Sequence, residues 1–133
     1  MPDDRTIRFS RHDACRLVGV APERLRQWER WLPQRRPDRG FAFSELLGLA
    51  ILLDLADRLD IDLGRFDAGI RLLFPALAEA AEADRLGEFV VVLGPTSARI
   101  DHRTSLHAPP LPQKWVLAPI HPFLASLREQ VFS

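Results

Sequence analysis

The chain has 133 residues, 47% hydrophobic and 27% charged, with eighteen basic and eighteen acidic side chains and a formal charge of zero. That is enough for one sizeable core, or a core with a small appended unit; it excludes a disordered chain and does not suggest two full domains. The zero balance hides an asymmetry: residues 1–40 carry ten arginines against six acidic residues, a head at +4 that suits a polyanion, while residues 41–133 balance at −4.

The opening MPDDRT lacks the basic and apolar regions of a signal peptide, and no apolar run approaches the roughly 20 residues that span a bilayer, so a cytoplasmic protein with no membrane contact is expected. Cys15 is the only cysteine, which excludes an intrachain disulfide. Ser10 can cap a first helix whose Ala14, Cys15, Leu17 and Val18 share one side; Gly19 ends it, and Val20 plugs the angle to the next. Cys15 then reads as a small buried hydrophobe. Pro22 suits the first position of a second helix, where its missing N–H is not needed. At 100° per residue Ala21, Leu25, Trp28 and Leu32 face inward, and Glu23, Arg26, Gln27 and Arg30 face outward.

Two helices joined by a glycine turn, the second rich in Arg and Gln, read as a helix-turn-helix. Arg pairs with guanine and Gln with adenine through two hydrogen bonds each, and the major groove admits a helix. Double-stranded DNA is the expected partner, with Arg24, Arg26, Gln27 and Arg30 in the groove. Arg35, Arg36 and Arg39 follow in a Pro- and Gly-punctuated loop, a candidate wing gripping phosphates.

Phe41 and Phe43 alternate around Ala42 as a short strand, and Ser44 can cap a Leu-rich helix reaching Asp60, with Glu45 near its positive end. So apolar a helix must be covered on several sides. Asp62 can cap another helix through Leu63, Phe66, Ile70 and Leu73, which Pro75 breaks or kinks; an Ala- and Glu-rich continuation runs to Gly87. Phe89 to Leu93, FVVVL, reads as a strand, Gly94-Pro95 as a turn, Ala98 to Thr104 as a returning strand and Lys114 to Ala118, beyond the connector HAPPLPQ, as a third. Pro122 opens a last helix with Phe123, Leu124, Leu127 and Val131 at helical spacing. The fold class is mainly α with a small β unit (α+β). Strands this few and short cannot stand alone, so the tail must pack on the head or complete a sheet with a second copy.

Residues 7 to about 74 resemble the winged helix-turn-helix head of the MerR family through Leu17, Gly19, Val20, Leu25, Arg26, Trp28, Glu29, Leu32, Pro33, Gly40, Phe43 and the helix opening at Ser44. The resemblance implies a DNA-binding head over residues 1–74 and leaves 75–133 as a small α/β tail for dimerisation or partner binding. This chain has Ala21 where the family usually has a capping Ser or Thr, Glu23 at a position often basic or neutral, and Phe41 where an Arg is common. Members that act as sensors dimerise through one long helix after the head, and Pro75 argues against such a helix here.

Catalysis finds no support. His12, His102, His107 and His121 are scattered without metal-ligand spacing, adjacent Asp101 and His102 point to opposite faces of a strand, and there is no glycine-rich phosphate loop or nucleophile elbow. No catalytic residue, metal or cofactor is expected. Two functions compete: a homodimeric transcription regulator reading an inverted repeat, with Phe89–Leu93 and the helix from Phe123 to Phe132 as its interface; or a protein-interaction module of MerR-like fold, such as an antitoxin that binds a toxin and represses its own operon.

Overall fold

The computed structural model describes residues 8–32, 40–81, 86–102 and 116–132. Ser10 caps α1 (Arg11–Val18) by accepting from the Asp13 N–H at 3.1 Å, and Gly19 closes it at φ 84°. Only a residue without Cβ takes that left-handed turn at no steric cost. Three residues later Pro22 begins α2 (Pro22–Trp28), followed by a 3-10 turn over Glu29–Trp31. Ala21 holds the capping position in extended conformation with no side-chain bond, and it is exposed rather than turned inward.

A two-residue antiparallel ladder, β1 (Arg8–Phe9) with β2 (Phe41–Ala42), ties the start of the helix pair to the segment beyond it. The strand ends one residue sooner than the alternation of Phe41 and Phe43 suggested. Phe43 instead opens α3 (Phe43–Asp57), and the cap is not Ser44. Glu45 reaches back to accept from the Ala42 N–H at 2.8 Å, the carboxylate half of a capping box, and so sets the helix start.

α3 is the central post. Leu46, Leu47, Leu49, Ile51, Leu52 and Leu55 are all buried, because α1, α4 (Asp67–Ala80) and α5 (His121–Phe132) pack around it. Asp62 does act as a cap, of a 3-10 turn over Leu63–Phe66 that leads into α4. Pro75 neither ends nor replaces that helix, which continues to Ala80. Proline costs a helix the bond to the carbonyl four residues back. Here that carbonyl belongs to Arg71, and both Arg71 and Pro75 are exposed, so water can take the place of the missing donor.

The tail strands form one antiparallel sheet in the order β4 (Ala98–His102), β3 (Phe89–Leu93), β5 (Val116–Pro119). Val91, Leu93, Ala118, Ile120, Leu124 and Leu127 belong to the same apolar cluster as the helices of the head. The tail thus folds back on its own chain, α5 lying against α1 and α3. The expected dimer surface at Phe89–Leu93 is corrected accordingly: β3 is the middle strand, bonded on both sides, with Val91, Val92 and Leu93 fully buried. Cys15 is half-buried against the cluster. Among the described residues no helix is long and apolar enough to cross a membrane.

Candidate nucleic-acid interface

α2 buries Leu25 and Trp28 and leaves Glu23, Arg26 and Gln27 exposed on the opposite side. Among the described residues Arg26 and Gln27, like Glu23, have no side-chain partner, whereas Arg24 and Glu29 are engaged. Arg24, expected in the groove, sits on the flank beside Trp28: its guanidinium lies 5.0 Å from the indole centroid and pairs with Asp57, the last residue of α3, at 2.8 Å. Glu29 accepts from Arg11 of α1 at 2.6 and 3.1 Å. These two pairs pin α2 to α3 and α1 respectively. Arg30 stays exposed, with its guanidinium 4.7 Å from the Trp31 ring centroid.

The 3-10 turn places a residue that helical periodicity did not single out. With three residues per turn, positions i and i+3 eclipse, so Trp31 falls beneath Trp28 instead of 60° away from it. Their rings lie 6.2 Å apart and tilted by 33°. Trp31 is 2% exposed, and its indole N–H donates to Asp67 Oδ1 at 2.6 Å. Arg71 holds the other oxygen of Asp67 at 3.2 Å and donates to the Arg30 carbonyl at 2.9 Å. The end of the candidate recognition helix is thereby clasped to the first turn of α4. Two tryptophans three residues apart were the signal for it in the sequence.

The hydrogen bond from Trp31, and then the one from Arg71, hold the Asp67 carboxyl below the usual carboxylate range. A carboxyl with a folded-state pKa below its unfolded value adds stability above the unfolded pKa and loses it as pH falls through the folded one. Asp67→Asn should therefore melt below the wild type at neutral pH, and the gap should close below about pH 4. Thermal melts between pH 7 and 3 check this; a gap that does not change with pH would mean the charge of Asp67 contributes nothing.

Arg35, Arg36 and Arg39, expected to grip phosphates, lie outside the described residues. So do the connector HAPPLPQ, His107 and the first residues expected for the third strand. Elsewhere His102 pairs with Glu88 at 3.0 Å and Asp101 with Arg99 at 2.6 Å, on opposite faces of β4. Among the described residues no group of three or more His, Cys, Asp or Glu side chains could hold a metal ion. Compared with family models, curated proteins and solved structures, the chain matches none.

Proposed function

We propose that the chain is a sequence-specific DNA-binding transcription regulator of winged helix-turn-helix type, acting as a homodimer on an inverted repeat. The observation that carries this reading is the pairing pattern on α2: Arg24 and Glu29 are neutralised within the chain, while adjacent Arg26 and Gln27 are exposed and unpaired among the described residues. Two such donors on one rigid helix are what base edges in a major groove require. Arg30 extends the same face, and its stacking on Trp31 fixes where its charge points.

A gel-shift assay with DNA from immediately upstream of the gene tests the proposal. Arg26→Ala and Gln27→Ala should each cost about 1–3 kcal/mol of binding and relax sequence preference. Arg24→Ala should act mainly through stability, because Arg24 is tied to Asp57. Unchanged binding by a folded Arg26→Ala, Gln27→Ala double variant would remove α2 from the interface.

A second reading, a partner-protein module such as an antitoxin, draws on a groove of about 340 Å³ between α1, α3 and α5, lined in part by Val18, Leu53 and Phe123. Co-purification with the product of a neighbouring gene, abolished by Leu53→Asp with the fold intact, would favour it.

A further inference from the structure

The exposed face of α2 carries an acid beside its donors. Glu23 stands in the first turn, three residues before Arg26 and four before Gln27, a spacing that sets all three on one side of the helix. Elsewhere in the chain an acid at that spacing closes on its arginine: Asp13 on Arg16, Asp54 on Arg58 and Asp67 on Arg71, at 2.8–3.7 Å. Glu23 makes no such pair, and among the described residues its carboxylate has no partner. The face assigned to DNA therefore presents a free carboxylate next to a free guanidinium and a free amide.

A carboxylate turned toward DNA is repelled by the phosphates, so it weakens binding to all sequences alike unless a base edge donates to it. In the major groove thymine shows O4 and guanine shows N7 and O6, acceptors that repel a carboxylate. Adenine sets the acceptor N7 beside its N6 donor; cytosine alone offers a donor, its N4 amino group, with no acceptor of its own next to it. An α-helix rises about 1.5 Å per residue, which sets Glu23 about 4.5 Å along the axis from Arg26, against roughly 3.4 Å per base step. Recognition helices read successive bases with residues three to four apart.

We propose that Glu23 is a specificity-determining residue that accepts a hydrogen bond from the N4 amino group of a cytosine, in the base pair next to the one read by Arg26. The inference rests on the DNA-binding reading above and names one base pair of each half-site. Arg26 and Gln27 supply attraction, while Glu23 discriminates by leaving an unpaired charge against any other base. The same carboxylate serves the helix: Ala21 gives α2 no side-chain cap, and an acid in the first turn suits the positive end. That second role affects stability and cannot move a base preference, so base preference is the readout.

The test selects ligands of the full-length wild type from a pool of random-sequence DNA duplexes. The recovered consensus and its single base-pair variants are then compared by fluorescence anisotropy at one fixed salt concentration. Wild type should demand cytosine at one position of each half-site, where any replacement raises Kd roughly tenfold. Arg26→Ala should relax the neighbouring pair instead. Glu23→Ala should bring all base pairs at the cytosine position within about twofold of one another, and should bind duplex of unrelated sequence more tightly than wild type, since a repulsive charge is gone. Glu23→Gln should move the preference from cytosine to adenine, whose N6 and N7 a glutamine amide pairs with through two hydrogen bonds. Gain of that preference also shows that the variant is folded. A consensus with no cytosine beside the Arg26 position, a consensus unchanged by Glu23→Gln, or a loss by both variants that is equal for every sequence would overturn the assignment and leave α2 as the reading helix. A wild type that selects no consensus would overturn the DNA-binding reading along with it.

Discussion

Trp28→Ala should destabilise the fold by about 3–5 kcal/mol, the cost of emptying a buried aromatic site. Trp28 is 5% exposed and packs on the inward face of α2 beside Trp31, while its outer rim carries the Arg24 guanidinium. Truncation therefore removes packing, the stacked partner of Trp31 and the platform that aligns Arg24 with Asp57. Against a total stability of roughly 5–15 kcal/mol this loss is large. The melting temperature should fall by on the order of 10 °C or more. DNA binding would disappear only in step with unfolding and return on cooling. A variant that melts like the wild type yet no longer binds would place Trp28 in the interface and turn α2 by half a revolution.

How much of this was legible in the sequence depended on whether one local signal was sufficient. Ser10, Gly19 and Pro22 each act through their own backbone, and the first helix, the turn and the start of the second follow from them. The inward positions Leu25, Trp28 and Leu32 followed from 3.6-residue periodicity and are buried; Trp31 did not, because the winding tightens after Trp28, and its partner Asp67 is a contact 36 residues away. The pairing of Arg24 was hidden for the same kind of reason, since Asp57 meets it only through the packing of α2 on α3. Ser44 looked like a cap by type, yet Glu45 had already fixed the helix start by bonding Ala42. Pro75 read as a break or a kink because the penalty of proline depends on what surrounds the freed carbonyl, which composition does not reveal. The strand FVVVL was recognisable; that it is the central strand of the sheet required the pairing.

The packing of α4 on α3 offers the second large effect. Gly48 faces α4 with no room for a side chain: a Cβ there would stand 2.5 Å from Cε1 and 2.9 Å from Cδ1 of Phe74, with a Leu77 methyl at 3.2 Å. Phe74 is 1% exposed, so its ring has no vacant space to retreat into. Phe74→Ala should cost about 3–5 kcal/mol by opening a cavity against α3. Gly48→Ala should cost about 1–3 kcal/mol for the opposite reason, overpacking, even though alanine is the better helix former by about 1 kcal/mol. The two changes touch the same volume, so they should not add. In the double variant the new methyl occupies part of the space the ring vacates, and the loss should fall short of the sum by about 1 kcal/mol or more. Urea denaturation of the four proteins closes the cycle. Strict additivity would mean that the Phe74 ring swings clear of residue 48 and that α3 and α4 are not held at contact distance by this glycine.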